Sequence, residues 1–141
     1  GIKLNRPVLS ATGVDAKVLY VPNMGSGEVI EMEGLTVFKL AVRKMIDMLD
    51  EACRENGITV EDLQKIVPHQ ANERIIEAIR KTIKCPPEKM FNHIRKYGNT
   101  SSNTIPIALT ELMPQMAAAD KVGLTAFGGG FTFGAAVIEK M

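Results

Sequence analysis

The segment Val122 to Phe127 carries no charge and little alternation of polar with apolar residues. A strand with one wet face alternates; one that does not must be covered on both faces. This run is therefore read as a central strand with layers above and below it. Gly128-Gly129-Gly130 breaks it, and Thr132 to Ile138 supplies a final strand. The cover must come from upstream. Residues 35–54 place Phe38, Ala41, Val42, Met45, Met48, Leu49 and Ala52 at spacings of three and four, with Lys39, Arg43, Lys44, Asp47, Asp50 and Glu51 opposite. That pattern is an amphipathic helix, stopped by Asn56-Gly57. Its methionines are read as core filler rather than as a cofactor box.

Thr59-Val60-Glu61-Asp62 has the form of an N-cap with acidic residues in the first turn, opening a short helix to Gln64. Ile66-Val67 reads as a short buried strand, and Pro68, which lacks an N–H for the ladder, ends it. Glu73 to Ile83 reads as a second helix with Ile75, Ile76, Ile79 and Ile83 on one side, closed by Cys85-Pro86-Pro87. Met90 to Ile94 is expected to be extended, and Gly98 to Asn103 a polar loop. A third helix begins at Thr104-Ile105-Pro106, its wide apolar face formed by Ile105, Ala108, Leu109, Leu112, Met113 and Met116. Near the start, residues 7–21 hold two β-rich runs with Gly13 and Asp15 between them, read as a hairpin or bulged pair; Pro22 to Gly27 follows as a loop and residues 28–34 as extended or irregular chain. Strands alternating with helices make an α/β layered fold, and 141 residues suit one domain spanning 1–141.

The charge balance is +1, from 17 basic against 16 acidic residues, and there is no Trp. This speaks against a nucleic-acid partner, which calls for a basic excess or an aromatic stacking surface. No run approaches a membrane span, and the N-terminus has no signal-peptide layout. Cys53 and Cys85 stand far apart and His69 and His93 show no ligand spacing, so no metal site or disulfide framework is expected.

Chemistry is concentrated in Val67-Pro68-His69-Gln70-Ala71-Asn72, where a strand hands over to a helix. His69 is either a structural histidine or a neutral imidazole able to donate a hydrogen bond or move a proton. Asn99, between Gly98 and Thr100, is a turn residue unless it meets His69; a carboxamide and an imidazole N–H together can hold an oxyanion. The glycines at 128–130 do not fit the dinucleotide pattern and instead let backbone approach a ligand. Cys53 reads as a core thiol. Cys85, beside Lys84, has no base implied by its neighbours. The chain thus has groups to stabilise an electrophile and no attacker.

Val67-Pro68-His69-Gln70-Ala71-Asn72 with Arg74-Ile75, then Tyr97-Gly98-Asn99-Thr100-Ser101, then Phe127-Gly128-Gly129-Gly130-Phe131-Thr132 occur in that order. Together they resemble the C-terminal half of 3-oxoacyl-[acyl-carrier-protein] synthase III, a condensing enzyme of fatty acid biosynthesis. Met32-Glu33-Gly34 and Val37-Phe38-Lys39 also match. The resemblance is strong over 32–141 and weaker over the N-terminal strands and loop of 1–31. It implies the C-terminal half of a thiolase-like fold, a mixed sheet with helices on both sides and one buried helix. It implies His69 and Asn99 as catalytic residues that hold the thioester carbonyl of malonyl-carrier protein during decarboxylation. Gly129 would be the oxyanion backbone donor. Phe38, Ala71 and Asn72 would bind the CoA or pantetheine chain. Lys39 and Arg74 would dock the acyl carrier protein, and Arg74, Lys81 and Lys84 are placed on one face of the second helix. No cofactor is implied. The substrates would be an acyl-CoA and malonyl-carrier protein, and the other partners the Cys-bearing N-terminal half and, in the intact enzyme, a second copy in a cytoplasmic homodimer.

Ser102-Asn103 and Phe133 depart from residues common in the family, which leaves substrate range open. Two alternatives stay beside the first reading: a separate half that binds a partner subunit or carrier protein without chemistry, and a synthase III-like enzyme of secondary metabolism. Because the chain reads as an excised or split half, its third helix is expected to expose a large apolar patch.

Overall fold

The computed structural model describes residues 1–14, 16–22 and 29–141. Strand β1 spans Ile2–Leu4, β2 Val8–Ala11, β3 Leu19–Tyr20 and β4 Glu31–Met32; helix α1 runs Gly34–Glu55. After it come β5 (Lys65–Pro68), α2 (Glu73–Thr82), α3 (Ile94–Tyr97), α4 (Thr104–Leu112), β6 (Lys121–Gly128) and β7 (Thr132–Lys140). The main sheet has the order β1-β7-β6-β5, with β2 also pairing β7. β5 is parallel to β6, and β6 pairs antiparallel with β7 from Lys121↔Glu139 to Gly128↔Thr132. The sheet is therefore mixed, and β6 is internal as its composition requires.

Adjacent strand residues point to opposite faces, so neighbours in β5 and β7 show what covers each side. Ile66 and Val137 pack with Ala41, Met45 and Leu49 of α1 and Ile75, Ile76 and Ile79 of α2. Val67 and Ile138 pack with Ala108 and Leu112 of α4. The expected architecture, helices on both faces of a mixed sheet, is what the chain adopts. Each fully buried Leu, Ile or Met contributes roughly 1.5–3 kcal/mol relative to exposure. That makes the α1 stripe a principal source of stability. α1 lies close to the sheet: a Cβ on Gly123 would come within 2.6 Å of Leu63 Cδ1 and 2.7 Å of Leu49 Cδ1. Two strand positions further on, and so on the same face, the buried Thr125 hydroxyl donates to the Met45 carbonyl at 2.8 Å.

Several expectations are corrected. The two early β runs do not form a hairpin with each other: β2 pairs with β7 (Val8↔Ala135) and β3 with β4 (Leu19↔Met32), because the long β7 offers a better edge. The turn residue Asp15, residues 23–27 of the following loop and residue 28 of the segment after it lie outside the described residues. The short helix after Thr59 is a single 3-10 turn at Val60–Asp62, although its capping is as read: the Asp62 carboxylate accepts from the Thr59 N–H at 2.7 Å and from its hydroxyl at 3.0 Å. Ile94 begins α3 rather than ending a strand; only Met90 bridges to Ile66. Lys84 falls beyond α2 with φ 53°, so it does not share a helix face with Arg74 and Lys81.

α4 is buried at Thr104, Ala108 and Leu112 and half-buried at Ile105, Ile107 and Leu109. No α4 residue is among the large exposed apolar side chains. The bare apolar surface expected there lies elsewhere, at Ile2, Leu4 and Leu9 on the sheet edge and at Val29, Ile30, Met32 and Leu35 before and at the start of α1.

Candidate active site

The site starts where β5 ends. Pro68 is the last ladder residue, and the His69 N–H still reaches the Thr125 carbonyl of β6 at 2.7 Å. The imidazole is thereby fixed to the rim of the sheet, half-buried. Gln70 follows with no exposed surface, and its carboxamide ties three main-chain groups together. Its Nε2 donates to the Pro68 carbonyl (2.7 Å) and the Phe91 carbonyl (3.3 Å), and its Oε1 accepts from the His93 N–H (3.1 Å). Buried amides persist only when satisfied, so Gln70 serves as a latch between the histidine turn and residues 91–93.

His69 lines a cavity of about 450 Å³ with Ser101, Ser102, Thr104, Phe127, Gly128 and Phe133 among its walls. Its Nδ1 lies 2.7 Å from Thr104 Oγ1. Phe127 meets the ring edge-on, with centroids 5.6 Å apart at 69°. Phe127 in turn leans on Phe131, fully buried, which stacks on Phe133 at 5.9 Å and 10°. The aromatic residues on either side of the glycines thus brace the histidine. Their signal in the sequence was the spacing of Phe127, Phe131 and Phe133. Burial holds the His69 imidazole below its usual range, so near neutral pH it is uncharged.

Asn99 follows Gly98, whose φ of 68° suits glycine. It is exposed and lies two residues before the cavity-lining Ser101, whose N–H it holds through Oδ1 at 2.8 Å. The cavity wall thus contains His69 but not Asn99. Gly129 is exposed in the turn between β6 and β7; its neighbour Gly128 lines the cavity instead. Phe38 and Ala71 are half-buried against the core of α1 and α2. Asn72 caps α2, its Oδ1 accepting from the Ile75 N–H at 2.9 Å. Asn72→Ala is expected to cost about 1 kcal/mol of stability through loss of that cap, read as a lower denaturation midpoint with an unchanged slope. Lys39 and Arg74 are exposed.

Neither cysteine is primed to attack. Burial raises the Cys53 thiol to about 11, with Asp50 adding to the effect, and burial raises Cys85 as well. Cys85, beside Lys84 in the sequence, is buried like Cys53. Among the described residues no group of three or more His, Cys, Asp or Glu is arranged to hold a metal ion.

His93 was not singled out for chemistry, and it is 5% exposed between the rings of Phe91 and Tyr97. Its ring nitrogens have no hydrogen-bond partner among the described residues. Burial lowers its pKa and Lys96 adds to this, while the Glu111 carboxylate opposes it. Both histidines therefore prefer to be neutral when folded. The unfolded chain takes up their protons first as the pH falls past about 6.5, so stability decreases with acidification in that window. Melting temperature is expected to drop between about pH 7 and about pH 5.5, and to drop less in His93→Asn; equal slopes in the two proteins would count against it.

With this geometry in place, comparison with known proteins is informative. The family model described as 3-oxoacyl-[acyl-carrier-protein (ACP)] synthase III C terminal matches residues 53–140. The chain belongs to this family. The β-ketoacyl-[acyl-carrier-protein] synthase III of Clostridium novyi is 46% identical over 112 residues, covering 78% of this chain and 35% of the relative. The 3-oxoacyl-[acyl-carrier-protein] synthase III structure from Aquifex aeolicus superposes with a TM-score of 0.87 at 38% identity, over 94% of this chain and 43% of that one. The β-ketoacyl-[acyl carrier protein] synthase III from Thermus thermophilus gives 0.89 at 38%, over 100% and 47%. The chain spans less than half the length of these relatives. The fold is that of the C-terminal part of synthase III, a thiolase-like α/β architecture. The synthase III match takes in His69, Ala71, Asn72, Arg74, Asn99 and Gly129, and begins after Phe38 and Lys39.

Proposed function

We propose that this chain is the C-terminal catalytic part of a β-ketoacyl-[acyl-carrier-protein] synthase III, one acyltransferase domain over 1–141 acting in the decarboxylative Claisen condensation of fatty acid biosynthesis. The observation that carries the reading is His69. It is a neutral, half-buried imidazole on the wall of a cavity, in a chain of the synthase III family. In this reading His69 and Asn99 donate hydrogen bonds to the thioester carbonyl of malonyl-carrier protein. Breaking the bond to the carboxylate releases carbon dioxide and leaves the electron pair delocalised onto that carbonyl oxygen, where two donors lower the barrier. The engagement of Asn99 Oδ1 by Ser101 N–H supports this role, because the carboxamide then presents its Nδ2 hydrogens as donors.

The carbanion attacks an acyl group carried on a cysteine. That nucleophile is assigned to the longer protein, since Cys53 and Cys85 are buried with raised pKa values. The Gly129 N–H would stabilise the tetrahedral intermediate, Phe38, Ala71 and Asn72 would contact the pantetheine chain of CoA thioesters, and exposed Lys39 and Arg74 would meet the acidic carrier protein. A homodimeric, cytoplasmic enzyme without cofactor completes the proposal. The test is release of carbon dioxide from malonyl-carrier protein by the intact protein, followed by condensation with an acyl-CoA. Carrier-protein binding without either step would favour a non-catalytic binding half instead.

A further inference from the structure

We propose that Thr104 is a positioning residue that holds His69 in the tautomer protonated on Nε2, so that the ring meets the cavity as a hydrogen-bond donor rather than as a base. The inference deepens the reading of His69 given above and rests on it for its catalytic consequence. Thr104 is 1% exposed at the start of α4, and its Oγ1 lies 2.7 Å from Nδ1. Geometry alone permits either partner to supply the hydrogen. The hydroxyl, however, has a hydrogen of its own to place. If Nδ1 carried the ring hydrogen, Thr104 would accept it and its O–H would need a second acceptor in a buried position.

The usual second acceptor for a helical threonine is the carbonyl four residues back. Thr82 and Thr110 use it, donating to Ala78 at 2.8 Å and to Pro106 at 3.0 Å. Thr104 does not: among the described residues its hydroxyl bonds only to His69, and the Thr100 carbonyl accepts the Asn103 N–H at 3.2 Å. A buried hydroxyl hydrogen without an acceptor is penalised. Donation from Thr104 to Nδ1 avoids that and leaves the remaining ring hydrogen on Nε2. Burial keeps the ring uncharged, so a tautomer choice exists at neutral pH. Phe127 against the ring edge restricts its rotation.

The test uses the intact protein with isotope-labelled histidine, and multiple-bond nitrogen–proton correlation spectra at neutral pH to read the tautomer. The His69 signals are assigned by their loss in His69→Gln. Wild type and Thr104→Ser are expected to carry the hydrogen on Nε2. Thr104→Val keeps the shape without the hydroxyl; it is expected to show mixed or inverted tautomers, with malonyl-thioester decarboxylation down about tenfold in kcat at little-changed KM, the size expected for one lost neutral hydrogen bond. Thr104→Ser should restore the rate. A wild-type ring protonated on Nδ1, or a Thr104→Val protein with unchanged tautomer and rate, overturns the proposal. If Thr104→Val does not fold, the wild-type and Thr104→Ser spectra decide alone. If the spectra show Nε2–H while His69→Gln still decarboxylates normally, the tautomer assignment stands and the catalytic reading of His69 fails.

Discussion

His69→Ala in the intact protein is expected to lower malonyl-thioester decarboxylation by about a hundred- to thousandfold, the usual loss when one donor to a developing oxyanion is removed. The fold should survive. His69 is only half-buried, and the main-chain bond that fixes it, from its N–H to Thr125 at 2.7 Å, does not use the side chain. The loss should appear in kcat rather than in KM, because the bond strengthens as charge moves onto the thioester oxygen. Asn99→Ala is expected to act in the same direction, and the double variant to be little worse than either single one, since two donors on one oxygen work as a unit. Decarboxylation by His69→Ala within tenfold of wild type, with melting unchanged, would remove His69 from the reaction.

How far this could be read from the sequence depended on whether the deciding force was local. The α1 stripe, the isoleucine face of α2 and the unalternating β6 run are patterns of burial within one element, and the structure follows them closely. The Thr59–Asp62 cap and the Asn72 position are local chemistry as well. The failures are long-range. Nothing in residues 7–21 indicates that β2 will prefer β7, because strand pairing is settled by an edge more than a hundred residues away. The third helix looked too apolar for one sheet, yet α4 ends at Leu112, Met113 and Met116 lie beyond it and are themselves buried, Val67, Val122 and Ile138 of the sheet cover the cluster, and the exposed apolar residues fall at the N-terminal strands instead. At the site, the motif stretches pointed to His69, which lines the cavity, and to Asn99 and Gly129, which do not. Their supports were not legible. Thr104 approaches His69 across 35 residues and Gln70 reaches His93 across 23. A helix-initiating threonine and a glutamine in a turn carry no mark of such partners.

Gln70→Leu is expected to destabilise the chain by about 3 kcal/mol or more and to loosen the site at the same time. The substitution keeps the volume and apolar fit of a fully buried side chain but removes three hydrogen bonds at once. It strips partners from the Pro68 and Phe91 carbonyls and the His93 N–H, each a buried or part-buried group for which going unsatisfied costs about 1–3 kcal/mol. Phe91 retains its own N–H bond to the Ile66 carbonyl at 2.8 Å, so residues 91–93 should stay near the sheet rather than detach. What is lost is the fixed relation between Pro68 and His93, and His69 sits in the turn that Gln70 holds. The denaturation midpoint should fall sharply, and the decarboxylation rate should fall by more than the folded fraction accounts for, because an imidazole displaced by a fraction of an ångström no longer meets the oxyanion. Gln70→Glu offers the contrast: its carboxylate can still accept from His93 N–H but faces two carbonyls that demand a donor. It should therefore be no more stable than the leucine variant near neutral pH and recover partly on acidification, as the protonated acid regains a hydrogen to donate. A Gln70→Leu protein with wild-type melting and rate would show that the turn is held by the β5–β6 ladder alone.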